Sequence, residues 1–119
     1  MATPQVQLER RSPAYWRVTF NNPPVNIWGP EATAQMLEVV KALETDLDVK
    51  VVVFDSAVEG FFIIHYDFLA KPEDTLALPV GATGLQALPD AFARISRAPV
   101  VSIAKIRGRC TGVGPSPPW

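Results

Sequence analysis

The chain has 119 residues, of which 48% are hydrophobic and 19% charged, a balance typical of one folded domain rather than a disordered segment. Its formal net charge of −1 argues against nucleic acid or an anionic membrane surface as the main partner. The N-terminus lacks the apolar segment of a secretion signal, and no apolar run approaches the roughly 20 residues that span a bilayer. A single cysteine, Cys110, excludes an internal disulfide. These features predict a soluble cytoplasmic protein.

The first twenty residues show the alternation of a β-hairpin. Hydrophobic and polar residues alternate over residues 5–10 and again over residues 15–20, which is the period of strands with one buried face. Ser12 and Pro13 lie between the two segments and favour a turn. Residues 21–26 contain three asparagines and two prolines, which cannot continue a strand, so we predict a loop there.

A long helix and a strand are predicted next. Pro30 suits the first position of a helix that we expect to run to about Asp46. One apolar stripe steps along it by three or four residues, through Met36, Val40, Leu43 and Leu47. Residues 49–55 are a nearly unbroken β-branched run, typical of a buried parallel strand. A strand, a long helix and a strand in that order predict a right-handed βαβ crossover.

A loop, a helix and a strand are predicted in the second half of the chain. Residues 71–84 mix proline, glycine and acidic residues, which predicts a mobile surface loop. A second helix is expected from residue 85 or 89 to Arg97, with a buried stripe formed by Leu85, Leu88, Phe92 and Ile95. Pro99 ends that helix, and residues 100–106 predict a second buried strand.

Two loops are the strongest functional signals in the sequence. In residues 61–68 and again in residues 102–114, an apolar run gives way to a loop that should open a helix. The first turn of a helix presents unpaired backbone N–H groups that can bind an anion. Two such donors facing one carbonyl oxygen would form an oxyanion hole.

Three blocks in order resemble the N-terminal part of the enoyl-CoA hydratase/isomerase (crotonase) superfamily. The first is Val18-Thr-Phe-Asn-Asn-Pro-Pro-Val-Asn26, and the second is Val51-Val-Val-Phe-Asp55 followed by Phe62-Ile-Ile-His-Tyr-Asp-Phe68. The third is Ala98-Pro-Val-Val-Ser-Ile-Ala-Lys-Ile-Arg-Gly108 with Thr111-Gly-Val-Gly114. The resemblance covers about residues 5–114 and implies an α/β, crotonase-like spiral of ββα units, truncated after the second loop. Residues 1–114 would be the N-terminal part of that domain, and 115–119 a tail outside the family pattern.

The resemblance implies that the chain binds an acyl-CoA thioester, with coenzyme A as part of the substrate and no separate cofactor. The two oxyanion donors would be the backbone N–H groups of Tyr66 and Val113. The implied substrate-binding residues are Val25, Asn26, Ile64, His65, Asp67, Phe68, Thr111 and Gly112. Members of the family are usually homo-oligomers, trimers or hexamers, through contacts that this chain is expected to lack. No metal site is expected, because His65 is the only histidine.

The sequence departs from the family pattern at two places. Ile64-His65 stands where the family usually has Ala-Gly, which predicts a subfamily variant of the first loop. Ser116 stands where hydratases have a catalytic glutamate, and the position of their second glutamate lies beyond residue 119. A serine without a neighbouring base cannot replace a carboxylate in proton transfer. We therefore expect a member of the family without appreciable turnover as this chain.

Other interpretations of the sequence remain open. The chain could be a non-catalytic module that binds CoA or associates with a longer relative. It could also bind a dinucleotide through Gly108-x-x-x-Gly112-x-Gly114, although the spacing differs from Gly-x-Gly-x-x-Gly.

Individual side chains near the two loops also allow more than one role. His65 could make a structural hydrogen bond, contact CoA or transfer a proton, whereas Asp67 is predicted to cap a helix. Cys110 is expected to be a packed thiol, although two neighbouring arginines could lower its pKa. Those arginines, Arg107 and Arg109, could reach CoA phosphates or lie in solvent.

Overall fold

The computed structural model describes residues 4–64, 66–67, 71, 73–74 and 77–110. Within them the elements are β1 (Val6–Arg10), β2 (Tyr15–Phe20), α1 (Pro30–Thr45), β3 (Val51–Ser56), α2 (Ala87–Arg97) and β4 (Val101–Ala104). The four strands form one sheet in the order β1-β2-β3-β4. Parallel crossovers are right-handed, so α1 and α2 lie on the same face of the sheet, where they pack against each other. The predicted α/β class is confirmed.

The hairpin and the first parallel pairing of the sheet are those that the sequence predicts. β1 and β2 are antiparallel, from Val6 opposite Phe20 to Arg10 opposite Trp16, and the Ser12 and Tyr15 backbones bond each other across the turn. β2 pairs in parallel with β3, and β3 in parallel with β4. The strand–helix–strand crossover through α1 is therefore confirmed.

The apolar stripe of α1 is confirmed except at its C-terminal end. Met36, Val40 and Leu43 are buried, but Leu47 is 90% exposed. The helix ends at Thr45 because the Asp46 carboxylate accepts hydrogen bonds from the backbone N–H groups of residues 48 and 49, at 2.8 and 2.9 Å. That turn directs Leu47 outwards, and Val49 fills the core in its place.

The buried face of α2 differs from the predicted stripe. Leu88 and Ile95 are half-buried, but Leu85 and Phe92 are exposed, so the prediction is wrong for these last two residues. The face that turns inwards carries Ala87, Asp90 and Ala91 instead. Hydrogen bonds from neighbouring groups satisfy the Asp90 carboxylate inside the protein, which allows a charged residue to take a core position.

The predicted second buried strand is wrong in length and in burial. It spans Val101–Ala104 rather than 100–106, and all four residues are exposed. β4 is an edge strand, and its register places Val101 beside Val51 and Ile103 beside Val53. These rows lie on the face opposite the helices, where Val51 and Val53 are only half-buried.

Candidate functional site

Aromatic residues pack together where β2 and β3 end. Phe20 stacks on Phe54 at a centroid distance of 6.0 Å and meets Trp28 and Phe62 edge-on, each at 5.5 Å. The carboxyl ends of parallel strands meet at the same edge of a sheet, which is where α/β proteins bind ligands. This aromatic cluster packs beneath the loops that follow the strands.

Asn26 joins the loop after β2 to the segment after β3. Its side chain is buried, and Nδ2 donates to the Phe62 carbonyl at 2.8 Å and to Ser56 Oγ at 2.7 Å. Its Oδ1 accepts from the backbone N–H of Asn22 at 2.7 Å. The backbone of Asn26 is left-handed, with φ of 60°, a conformation that asparagine tolerates better than most residues. Asn26 therefore has a positioning role, and its predicted contact with substrate stays a prediction.

The first predicted oxyanion loop is attached to the chain around Trp28. The Ile64 N–H donates to the Asn26 carbonyl at 3.4 Å, and the Asp67 N–H donates to the Trp28 carbonyl at 2.7 Å. Tyr66 and Trp28 face each other as an isolated parallel bridge. In a parallel bridge, one of the two residues is hydrogen-bonded through the residues beside it, and its own N–H points away from the partner strand. Here that residue is Tyr66, because the bond to the Trp28 carbonyl comes from Asp67. The Tyr66 N–H therefore points away from Trp28.

The second predicted loop is attached directly to the first. The Arg109 N–H donates to the Gly60 carbonyl at 2.8 Å, and the Phe62 N–H donates to the Arg109 carbonyl at 2.8 Å. The Cys110 thiol accepts a hydrogen bond from the Ile63 backbone. We call these contacts between residues 60–63 and 107–110 the loop junction. Beyond it, Tyr66 lies three residues after Ile63, and Val113 lies three residues after Cys110.

Gly108 allows the two backbones of the loop junction to touch. A Cβ atom at this position would lie 2.3 Å from the Gly60 carbonyl carbon and 2.5 Å from its oxygen. Both atoms belong to backbone, so neither can rotate aside. The close approach therefore requires glycine at position 108.

A buried carboxylate fixes the start of the second loop to the end of β3. Asp55 is 1% exposed and accepts hydrogen bonds from Arg17 at 2.6 Å and from Arg107 at 2.9 Å. Burial alone would raise its pKa, but the Ser56 N–H and the two guanidinium groups outweigh burial and hold the pKa of Asp55 below its ordinary value. A cavity of about 310 Å³ opens beside this cluster.

A mostly apolar pocket of about 270 Å³ lies beside Tyr66. Its wall consists of Thr33 from α1, Leu78, and the start of α2 with the residue before it (residues 86–89). The pocket adjoins the residue that the sequence analysis assigns as the first oxyanion donor. Its size and lining suit a hydrocarbon chain.

The structure describes half of the predicted site residues. Ile64 and Asn26 are buried, and Val25, Tyr66 and Asp67 are half-buried, all at the carboxyl edge of the sheet. The other predicted residues lie outside the described part of the chain: His65, Phe68, Thr111, Gly112 and Val113.

The surroundings of Cys110 bear on one alternative that the sequence left open. Burial raises the pKa of the Cys110 thiol, against the hydrogen bond from Ile63, which supports a packed thiol over a reactive one. Arg107 and Arg109 are both exposed, and Arg107 also binds Asp55, so contact of either arginine with CoA phosphates stays a prediction. Sequence reasoning missed Asp55, although an acid at the end of an apolar strand was a visible signal.

The described residues include no group of three or more His, Cys, Asp or Glu side chains that could hold a metal ion. The same part of the chain contains no helix that is long and apolar enough to cross a membrane.

The model of the enoyl-CoA hydratase/isomerase family matches residues 11–116, which is most of the chain. The chain belongs to this family. The match includes both predicted loops and the loop junction between them. No similar protein was found among curated proteins.

Several solved structures share the fold of this chain. A candidate enoyl-CoA hydratase from Streptomyces avermitilis matches with a TM-score of 0.82 and 27% identity, over 95% of this chain and 42% of that one. DspI from Pseudomonas aeruginosa matches with a TM-score of 0.74 and 22% identity, over 94% and 42%. An enoyl-CoA hydratase from Bacillus anthracis matches with a TM-score of 0.75 and 15% identity, over 92% and 42%. The chain thus has the crotonase-like fold and spans about 42% of the length of these relatives.

Proposed function

We propose that this enoyl-CoA hydratase/isomerase family member binds an acyl-CoA thioester and stabilises its enolate oxygen through the backbone N–H groups of Tyr66 and Val113. The reaction class would be hydration or double-bond isomerisation. Coenzyme A would enter as part of the substrate, without a separate cofactor, in the cytoplasm. Family membership and the loop junction support the proposal.

The loop junction supports it because an oxyanion hole needs two donors at a fixed separation. Backbone hydrogen bonds hold residues 60–63 against residues 107–110, so the two loops leave from one point. Each proposed donor follows its last junction residue by three positions. One preorganised donor lowers the barrier to enolate formation by about 3 kcal/mol, roughly a hundredfold in rate or more.

Proton transfer is the step that this chain is expected to lack. Ser116 occupies the position of the family's catalytic glutamate and has no carboxylate to accept a proton. The chain would therefore bind and polarise the thioester with little turnover. The apolar pocket beside Tyr66 would hold the acyl chain, because it adjoins the proposed donor.

Titration with acetoacetyl-CoA tests the binding and the polarisation together, because the enolate of this thioester absorbs in the ultraviolet. We expect heat of binding and an enolate signal from the wild-type chain. Tyr66→Pro and Val113→Pro remove the donor hydrogens and should abolish the enolate signal, whereas the matched controls Tyr66→Phe and Val113→Ala keep them and should retain it. A signal that survives both proline variants would refute the oxyanion assignment. Robust hydration of a short-chain enoyl-CoA would refute the expected lack of turnover.

A non-catalytic module that binds CoA or forms oligomers is the alternative function. The exposure of all four β4 residues favours this alternative, because Val101 and Ile103 form an apolar edge. Light scattering at increasing concentration measures self-association. A chain that stays monomeric and gives the enolate signal with acetoacetyl-CoA would leave only the first proposal.

A further inference from the structure

A buried aspartate holds the turn that precedes α2. Asp90 is fully buried, and its Oδ1 accepts hydrogen bonds from the backbone N–H of Thr83 at 3.0 Å and from Thr83 Oγ1 at 2.7 Å. Residues 81–85 also close on themselves, because the Gly84 N–H donates to the Gly81 carbonyl and the Gly81 N–H to the Leu85 carbonyl, both at 2.9 Å. A Cβ atom at Gly81 would lie 1.9 Å from Asp90 Cγ, so the turn rests directly on the carboxylate.

The other side of the Asp90 carboxylate is tied to both helices. Arg94 Nη1 donates to Asp90 Oδ2 at 3.0 Å, and Arg94 Nε donates to Glu44 of α1 at 2.9 Å, with a second hydrogen bond from Arg94 Nη2 to Glu44. Burial opposes the charge on Asp90, but the hydrogen bonds from Thr83 and Arg94 outweigh it and hold the pKa of Asp90 below its ordinary value. Asp90 thus stays ionised at neutral pH and links the turn to the α1–α2 pair.

The turn that Asp90 holds lies between two residues of the wall of the apolar pocket. Leu78 lies just before the turn and Gln86 just after it, and both residues line the pocket beside Tyr66. Thr33 of α1 lines the same pocket from another element. A shift of the turn would therefore move Leu78 and Gln86 relative to Thr33.

We propose that Asp90 is a positioning residue that fixes the wall of the pocket beside Tyr66, and that it thereby determines how strongly the chain discriminates between acyl groups of different length. The discrimination rests on the proposed acyl-CoA function. The positioning of the wall does not, because it depends only on contacts within the protein.

Binding of two unreactive thioethers, butyl-CoA and octyl-CoA, measures the discrimination by calorimetry. We expect Asp90→Asn and Thr83→Val to reduce the wild-type preference for the octyl derivative about fivefold or more, because a loosened wall contacts the longer chain less well. Glu38→Gln is the matched control, since it removes an exposed carboxylate of α1 that pairs with Lys41 rather than with Arg94, and it should keep the preference. An unchanged preference in both folded test variants would overturn the proposal.

Hydrogen exchange in the free protein tests the wall separately from the function. In Asp90→Asn, the amides of residues 81–86 should exchange about tenfold faster while those of β2 and β3 stay unchanged. Thr83→Val provides the same test if the first variant does not fold. Unchanged exchange in this turn would refute the role of Asp90. A wild-type chain that binds neither thioether, with faster exchange in the variant, would refute the acyl-CoA function alone.

Discussion

Replacing Asn26 with alanine tests whether this residue holds the first loop in place. The substitution removes the donor for the Phe62 carbonyl and the acceptor for the Asn22 N–H, and it leaves both groups without that partner. A buried polar group that loses its partner costs about 1–3 kcal/mol, so the two together cost about 2–4 kcal/mol after partial access to water. Alanine at a φ of 60° adds about 1 kcal/mol of backbone strain. We expect a total loss of about 3–5 kcal/mol in the free energy of unfolding.

Asn26→Gly separates the two contributions. Glycine loses the same hydrogen bonds but adopts positive φ without strain, so this variant should be about 1 kcal/mol more stable than Asn26→Ala. Urea unfolding followed by tryptophan fluorescence measures both values, because Trp16 and Trp28 are buried. A loss below about 1 kcal/mol for alanine, or a glycine variant less stable than alanine, would refute the reasoning.

Three further predictions concern the loop junction and the cluster beside it. Gly108→Ala should lower the free energy of unfolding by about 3 kcal/mol or more, because the new Cβ meets the Gly60 backbone. Gly60→Ala meets no atom within 4 Å and should cost only about 1 kcal/mol of backbone strain. Thermal unfolding compares the two variants. The pKa of Asp55 is lower in the folded protein than in the unfolded chain, so between these two pKa values the unfolded chain binds more protons. The stabilisation that ionised Asp55 contributes to the fold is therefore complete above about pH 4 and is lost as pH falls through the folded pKa. Acid unfolding of Asp55→Asn should accordingly be less steep than that of the wild type, and identical curves would contradict this. The half-buried Cys110, with its raised thiol pKa, should react with iodoacetamide more slowly than a free thiol at pH 8, and mass spectrometry showing labelling as fast as that of a free thiol would contradict this.

Regular periodicity was enough to predict most of the fold. The alternation in β1 and β2, the stripe of α1 and the β-branched run of β3 each depend on burial of one face, which the local sequence records directly. The order of these elements then determined the parallel crossover. The predicted second helix was also found, beginning at Ala87.

The errors occurred where a single contact overrides periodicity. The Asp46 carboxylate ends α1 and turns Leu47 outwards, and the buried contacts of Asp90 with Thr83 and Arg94 turn Phe92 outwards. An apolar pattern does not record such side-chain hydrogen bonds. β4 has the composition of a buried strand, but burial depends on what packs against the sheet face, which its own residues do not specify.

The candidate site was predictable as two separate loops, from the family resemblance and the residues that follow each strand. Their attachment to each other was not, because the bonds between residues 60–63 and 107–110 use mainly backbone atoms. Gly108 was the visible clue, although a glycine alone does not indicate which backbone it approaches.

The backbone character of the loop junction has a consequence for sequence divergence. Amide and carbonyl groups are common to nearly all residue types, so substitutions at Phe62 or Arg109 leave the junction bonds chemically intact. Selection on this edge of the sheet would act on only a few positions, with Gly108 foremost. A relative that is only 15% identical keeps the fold, and a loop junction formed mainly by backbone hydrogen bonds is compatible with such sequence divergence.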